Sequence, residues 1–400
     1  MTSCPFSILA KESLEGIWTL KYRPDSRFSI HNHEPSQHPS AHPVRGQLSL
    51  REGGVTQLTI LSKAGMSPKE IQTCIRQSGS LATRQDINNR IAAIRRETCE
   101  GQSPIHTLVD NLQKEGFWSR IQLASDDRVT AIFFAHPGSL AFLQAYPEIL
   151  LLDCTYKTNK YSMPLLDMIG VDASQRSFCI AFAFLSGETE ADYLWALEQL
   201  KSLYEQCQAP FPSVILTDRC LACINAVSTL FPSSPALLCI WHANKAVVSH
   251  CKPAFLKAEK WEEFYQFWHS IINSSTEEIY EERLSEFRQQ YIPGHLNEVG
   301  YIQTTWLNPF KERLVKAWVD KCTHFGNIAT SRVEGIHSLL KSYLKRSTID
   351  LFDAWKAINL ALRNQLSDLK SNHAREQIRN PLELSGHYMV SYVAGSRMQP

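Results

Sequence analysis

The sequence predicts an α/β fold with a mixed five-stranded sheet, helices around the sheet and a helical insertion. Apolar runs of strand length recur from residue 148 onward, and each run is bounded by polar residues. Turns of only a few residues join the first three runs, which predicts an antiparallel meander. Helical periodicity separates the later runs, so these strands are expected to run parallel to a strand of the meander.

The composition is typical of a globular protein, with 44% hydrophobic and 20% charged residues. The 41 Lys and Arg residues balance 40 Asp and Glu residues, so net charge does not indicate nucleic-acid binding, although a local basic patch would suffice. No apolar run reaches the length of a membrane span, which predicts no membrane partner. Eleven scattered cysteines, without a secretory signal at the first residues, predict reduced thiols inside a cell.

The first hundred residues predict two small regions. Residues 1–45 contain one strand and a segment rich in His and Pro, and residues 50–100 predict three short helices. The second helix begins with a capping box of Ser67 and Glu70. The polar face of the third helix includes Arg84, Asn88 and Arg95. Two short helices joined by a turn that contains Gly79 fit a helix-turn-helix that contacts DNA, and the alternative is a helical connector with solvated arginines.

The α/β region is predicted in two parts, residues 101–254 and residues 321–370. Its strands are predicted at 148–153, 161–171, 177–185, 213–218 and 236–241, and its helices at 190–206, 220–230, 325–345 and 350–368. The order β-β-β-α-β-α-β-α is that of the ribonuclease H-like (RNase H-like) fold. Residues 255–320 are predicted to be a helical insertion, and residues 371–400 an irregular tail.

Two of the predicted strands end on an aspartate, Asp153 and Asp218. A buried charge is costly, so each carboxylate is expected to be solvated, hydrogen-bonded or bound to a cation. If the strands are neighbours, both carboxylates lie at one edge of the sheet, and Glu334, in the first turns of a later helix, is the best third carboxylate. Oxygen ligands suit Mg²⁺, so the three residues predict a divalent-metal site for phosphodiester chemistry. The alternative is a set of solvated surface charges.

Four ordered motifs carry a family resemblance. They are residues 153–166, residues 217–219 with Asn225 and Ala226, the Cys-x-x-His of Cys239 and His242, and residues 331–334. Together they resemble the motifs of Mutator-like element (MULE) transposases. The resemblance implies a DDE transposase with an RNase H-like core, in which Asp153, Asp218 and Glu334 bind Mg²⁺ or Mn²⁺ while DNA strands are nicked and joined.

The resemblance also implies partners and a location. The expected partners are the terminal repeats of a transposon and its target DNA, bound by a homo-oligomer in the nucleus. The alternative is a domesticated, DNA-binding transcriptional regulator that keeps the fold without catalysis.

The N-terminal residues resemble the end of a far-red-impaired-response (WRKY-like) zinc finger. Cys4, His31 and His33 match three of its four zinc ligands, and the first cysteine is absent from the chain. This predicts either a truncated start or a lost finger, and an exposed His-rich loop is the alternative. Structural zinc sites use four ligands, so three alone argue against stable zinc binding.

A second zinc-like spacing combines Cys220 and Cys223 with Cys239 and His242. Cys220 stands where the resembling family often has an acidic residue, so this spacing is interpreted as incidental.

Basic residues cluster between Lys311 and Arg346. The cluster includes Arg332, Lys341 and Lys345. Because the cluster flanks Glu334, it is predicted to line a groove for the DNA backbone, and a solvated helical face is the alternative.

Overall fold

The computed structural model describes residues 3–13, 16–34, 55–78, 80, 82–99, 101–328, 331–344 and 346–378. The chain divides into two compact units, Met1–Gly101 and Gln102–Pro400. Within the described ranges, we find no helix with the length and apolar character that a membrane span requires.

The first unit begins with a β-hairpin. Strands β1 (Ile8–Glu12) and β2 (Trp18–Tyr22) pair antiparallel. Strand β2 is the one strand that was predicted within residues 1–45. Strand β1 was not predicted, because five residues of mixed character give little periodicity, and its pairing with β2 defines it.

Three helices follow in this unit, as predicted: α1 (Val55–Lys63), α2 (Pro68–Gln77) and α3 (Arg84–Cys99). The capping box is formed, because the Ser67 amide donates to Glu70 at 2.6 Å and the Glu70 amide donates back to Ser67. The buried core consists of Leu58, Ile71, Ile75, Ala82 and Ile87. Gly79 lies outside the described residues.

The second unit contains a seven-stranded sheet. Its strands are β3 (Trp118–Leu123), β4 (Val129–Ala135), β5 (Ile149–Thr155), β6 (Leu165–Val171), β7 (Ser177–Phe184), β8 (Val214–Thr217) and β9 (Ala236–Leu238). The spatial order is β3-β4-β7-β6-β5-β8-β9. Strands β5, β8 and β9 are parallel to one another, and every other pairing is antiparallel.

The prediction of five strands was wrong, because β3 and β4 extend the sheet beyond β7. The turn between β3 and β4 contains Asp126, Asp127 and Arg128, so this region has the local pattern of a solvated loop. Pairing with β7 decides the structure, since Phe133 lies opposite Ala183.

The helices of this unit surround the sheet and form the insertion. They are α4 (Pro104–Lys114), α5 (Pro137–Ala145), α6 (Glu190–Gln206), α7 (Leu221–Leu230), α8 (Ile240–Cys251), α9 (Ala258–Ile272), α10 (Glu277–Ile302), α11 (Asn308–Leu314), α12 (Lys316–Val319), α13 (Ser331–Leu344) and α14 (Leu351–Ile378). Helices α9 to α12 occupy the predicted insertion and share an aromatic core that includes Trp261, Phe264, Trp268 and Phe287.

Several predicted boundaries differ from the structure, and one of them is the start of α13 at Ser331 rather than at residue 325. Strand β6 begins at Leu165 rather than Tyr161, because residues 156–164 form a loop. Strand β9 ends at Leu238 rather than Trp241, because α8 begins at Ile240. Helix α14 continues to Ile378, into residues predicted to be irregular, and its buried Leu366 and Leu369 pack against the core of the sheet.

The two faces of the sheet have different roles. Successive residues of a strand point to opposite faces. Leu150 and Leu152 of β5 therefore pack with Leu197 and Leu200 of α6 in the main core. Asp153 lies on the opposite face, where β5 contacts α13.

Candidate metal centre

Asp153 and Asp218 lie side by side at the sheet. Strands β5 and β8 are parallel, with Leu151 opposite Leu216. Asp153 follows Leu151 by two residues within β5, and Asp218 follows Leu216 by two residues, directly after the end of β8. In each aspartate Oδ1 accepts a backbone N–H, from Cys154 at 2.9 Å and from Cys220 at 3.0 Å. These bonds fix the orientation of both carboxylates and leave Oδ2 of Asp153 directed toward α8.

Glu334 and His242 complete a cluster with Asp153. Nε2 of His242 lies 4.0 Å from Oδ2 of Asp153 and 3.9 Å from Oε1 of Glu334. One ligand atom from each of the three residues lies within 4.8 Å of the others. Asp218 is outside this 4.8 Å cluster, but its charge acts on Asp153.

The spacing and chemistry of this cluster fit a divalent cation. Ligands about 2.1 Å from an octahedral cation lie roughly 3–4 Å apart, close to the distances from His242 to the two carboxylates. The donors are two carboxylates and an imidazole, with Asp218 beside them. Carboxylates suit Mg²⁺ and Mn²⁺, and a nitrogen donor is better tolerated by Mn²⁺.

Burial dominates the electrostatics of the site. Burial raises the pKa of Asp153 to about 7, the nearby His337 opposes this rise, and the charge of Asp218 adds to it. Burial also raises the pKa of Asp218, against the hydrogen bond from the Cys220 amide. Burial lowers the pKa of His242, although the charges of Asp218 and Glu334 oppose that shift. A bound cation would offset the cost of burying the charged carboxylates. It would also favour their ionised form, because that is the form that binds a metal.

Asp153→Asn is expected to stabilise the metal-free protein at pH 8. The folded pKa of Asp153 is about 7 and the unfolded value is about 3.9, so the folded state holds an extra proton between these values. The free energy of unfolding therefore falls as pH rises from about 4 to about 7. Replacing Asp153 by Asn should therefore raise the free energy of unfolding by on the order of 2–4 kcal/mol at pH 8, and by little at pH 4.

Thermal unfolding in EDTA at both pH values measures this effect. Asp126→Asn is the control, because Asp126 is exposed and its pKa is lowered by Arg128, so no gain at pH 8 is expected there. Equal stability of the Asp153→Asn variant and the natural chain at pH 8 would contradict the burial of a charge at Asp153.

Asp167 is a buried carboxylate that the sequence prediction missed. It lies opposite Asp153 in the antiparallel β5–β6 pair, on the same face of the sheet, and it is 0% exposed. Nε2 of His337 lies 2.7 Å from its Oδ2. His337 follows Glu334 by one helical turn in α13, so the pair attaches the helix that carries Glu334 to the sheet.

Both members of the pair act on the electrostatics of the site, because His337 opposes the raised pKa of Asp153 and Asp167 adds to it. Burial lowers the pKa of His337, but the contact with Asp167 and the charges of Asp153 and Glu334 outweigh burial and raise it. Burial raises the pKa of Asp167, and His337 opposes this rise. The sequence gives no signal of this pair, because Asp167 and His337 lie far apart in the chain.

Cys239 has a structural role at the start of α8. Its Sγ accepts the backbone N–H of His242 at 3.5 Å, as an N-cap side chain does. Its own backbone N–H donates to the carbonyl of Thr217 at 2.9 Å, next to Asp218. The Cys-x-x-His motif therefore begins α8 beside β8 and places His242 in the first turn of the helix. No described cluster of three or more metal-ligand atoms includes Cys220 or Cys223.

Glu188 links the loop after β5 to α6. Its Oε1 accepts the hydroxyl of Tyr156 at 2.8 Å and the hydroxyl of Tyr193 at 3.1 Å. The charge of Glu188 also contributes to the raised pKa of Asp218, after burial as the main cause. Glu188 thus holds the loop that follows β5 against α6 through its two hydrogen bonds.

The other predicted ligands and DNA contacts lie elsewhere. Cys4, His31 and His33 offer ligand atoms within 4.8 Å of one another, so the structure brings the three predicted zinc ligands together. Arg332 donates to the carbonyl and side chain of Gln175, and Lys341 is exposed near Asp167. Lys345 lies outside the described residues.

Three cations of the predicted basic cluster are engaged in ion pairs. Lys311 pairs with Glu281, Lys316 with Asp320, and Lys321 with Glu277. The three lysines therefore form ion pairs at the protein surface. The predicted groove for DNA stays a prediction.

Comparison with known families identifies the segment that carries the site. Residues 149–246 match the family model of the MULE transposase domain. The chain contains a MULE transposase domain. The matched segment includes Asp153, Asp218, Cys239 and His242, and Glu334 lies beyond it in α13.

Curated relatives of this chain fall into two groups. Protein FAR1-RELATED SEQUENCE 5 of Arabidopsis thaliana is 24% identical over 91% of this chain and 45% of its own length. Protein FAR-RED IMPAIRED RESPONSE 1 of Arabidopsis thaliana is 21% identical over 94% of this chain and 46% of its own length. The chain therefore spans less than half the length of either relative.

The other group is represented by the PKS-NRPS hybrid synthetase cheA of Chaetomium globosum. It is 29% identical over 63% of this chain, but the match covers only 6% of the synthetase. The similarity is thus confined to a small part of that protein.

Proposed function

We propose that this chain is a DDE-type transposase of the Mutator-like class, which cleaves and transfers DNA strands with a divalent cation. The observation that carries the proposal is the convergence of Asp153, His242 and Glu334, with Asp218 on the neighbouring strand. A cation bound there would activate a water or a 3′-hydroxyl for in-line attack and stabilise the leaving oxygen.

The strand order supports an RNase H-like core. The meander strands lie in the order β7-β6-β5, and the two parallel strands β8 and β9 follow β5 on its other side. This arrangement matches the element order that the sequence predicted for such a core. In such a core, strands β3 and β4 are an addition at the edge beside β7.

The residues of the site have separate tasks in this proposal. Asp153 and Asp218 bind from the sheet, each held by a backbone N–H, while Glu334 binds from α13. The lowered pKa of His242, which burial causes, favours neutral imidazole near pH 7. Neutral imidazole is the form that can donate the electron pair of Nε2 to a cation.

The partners and location follow from the same proposal. The substrate is duplex DNA, namely the terminal repeats of a transposon and a target, and the protein acts in the nucleus as a homo-oligomer on DNA. Mg²⁺ or Mn²⁺ is the proposed cofactor. Zinc at Cys4, His31 and His33 would need a fourth ligand in addition to these three.

The alternative function is a DNA-binding transcriptional regulator that keeps the fold without catalysis. It is favoured by matches over more than nine tenths of the chain to proteins named for a far-red response.

A cleavage assay separates the two functions. The purified full chain is incubated with labelled duplex that carries Mutator-like terminal inverted repeats, in Mg²⁺, in Mn²⁺ and in EDTA. Nicking or strand transfer with either cation, and none in EDTA, supports the transposase. Binding of the duplex by folded protein without nicking in either cation overturns the transposase and supports the regulator.

A further inference from the structure

Helix α3 presents an exposed, mostly polar stripe that begins beside its core-facing side and extends around the helix. Ile87 is buried in the three-helix core, and Ile91 and Ile94 pack against that core. The exposed residues of this stripe are Arg84, Gln85, Asn88, Asn89, Ala92 and Arg96. Arg84 lies at its edge, because it is seven residues before Ile91. At 1.5 Å per residue, the 16-residue helix is about 24 Å long, enough to follow several base pairs of a DNA groove.

The side chains of this stripe match the edges of bases. Amides of Asn and Gln pair with adenine through two hydrogen bonds, and Arg pairs with guanine in the same way. Gln85 Nε2 donates to Asn89 Oδ1 at 2.9 Å, which orders these two amides on the helix surface. Ala92 lies between the longer side chains, and its small methyl group allows close approach of a base.

The charge of the helical segment favours a polyanion. Residues 55–99 contain seven Lys and Arg residues and three Asp and Glu residues, a net charge of +4, whereas the whole chain carries +1. Each of the three acidic residues is engaged locally. Glu70 and Asp86 accept hydrogen bonds at the starts of α2 and α3, and Glu97 pairs with Arg90.

The composition of the stripe favours duplex DNA over other partners. A protein interface would need an apolar centre, and Ala92 is the only apolar residue in the stripe. The major groove of double-stranded RNA is too deep and narrow for a helix, whereas the major groove of B-DNA admits one.

We propose that α3 is a recognition helix that binds the major groove of duplex DNA. Arg84 and Asn88 contact base edges, and Arg96 contacts a phosphate. The inference extends the proposed function by adding a DNA-binding surface outside the metal centre. It does not depend on cleavage, because a regulator would use the same surface.

The test begins by selecting duplexes from a random pool with the full chain. Dissociation constants are then measured by fluorescence anisotropy at several salt concentrations, for the selected duplex and for a random duplex. Arg84→Ala and Asn88→Ala are each expected to weaken binding of the selected duplex by roughly 5- to 150-fold and to leave binding of the random duplex within about twofold. Arg96→Gln is expected to weaken both and to reduce the salt slope by about one.

Arg288→Ala and Asn297→Ala are the matched controls, because both side chains are exposed on α10, in the other unit. Thermal unfolding confirms that each variant folds. Unchanged binding of the selected duplex by folded Arg84→Ala and Asn88→Ala variants would overturn the inference, and so would selective binding of RNA in place of DNA. If the natural chain binds through α3 but does not cleave DNA, the proposed transposase fails and this inference stands.

Discussion

Asp218→Ala is expected to reduce metal-dependent nicking of DNA by at least roughly 10²- to 10³-fold, the usual effect of removing one preorganised charged group from an active site. Asp218 directly follows β8, which pairs in parallel with the strand that contains Asp153, so its removal weakens the binding of a cation near Asp153. Folding should be preserved, because burial raises the pKa of Asp218 and its charge therefore costs stability. Nicking rates and thermal unfolding of both proteins measure the two effects.

Asp126→Ala is the control for this variant, because Asp126 is an exposed carboxylate in the turn between β3 and β4, at the edge of the sheet. Its nicking rate should match that of the natural chain. DNA binding by the Asp218→Ala variant should also be unchanged, since the proposed recognition helix lies in the other unit. Full nicking activity in the Asp218→Ala variant would exclude Asp218 from the metal centre.

Asp167→Ala is expected to destabilise the protein by about 3–5 kcal/mol, the usual cost of breaking a buried ion pair. The change leaves His337 buried without the carboxylate that lies 2.7 Å from its Nε2. Asp320→Ala is the control, because the Asp320–Lys316 pair is largely exposed and should contribute less than about 1 kcal/mol. Chemical denaturation of both variants gives the comparison.

A double variant distinguishes two roles of the Asp167–His337 pair, namely stabilising the fold and positioning Glu334. Asp167→Leu combined with His337→Leu removes both charges, so much of the lost stability should return. If the pair positions α13, nicking should stay reduced in this stable double variant and the concentration of Mn²⁺ needed for half-maximal activity should rise. Normal nicking with normal cation dependence would show that the pair only stabilises the fold.

The sequence predicted much of the sheet because the strands have simple local patterns. Apolar runs ending at Asp153 and Asp218 were found where β5 and β8 lie, and helices α6 and α7 agree closely with their predicted ranges. Strands β3 and β4 were missed, because a charged turn interrupts them and pairing with β7 decides their structure.

The metal centre was predictable only in part. The strand-end carboxylates and the spacing of Cys239 and His242 are local signals, and the match of residues 149–246 to the MULE transposase domain agrees with them. Asp167 gave no such signal, because a single polar residue in an apolar strand shows neither which face it occupies nor which partner it meets.

By itself, the sequence determined strands β5 to β9 with α6 and α7 between them, the positions of Asp153 and Asp218, and the family of the domain, because these depend on residues close together in the chain. Only the tertiary structure decided that His242 lies between Asp153 and Glu334, that Cys239 caps α8, and that Asp167 meets His337. The physical reason is that each of these contacts depends on how strands pair and helices pack. The charge of Asp153 is therefore a local feature of the sequence, whereas its surroundings are a property of the fold.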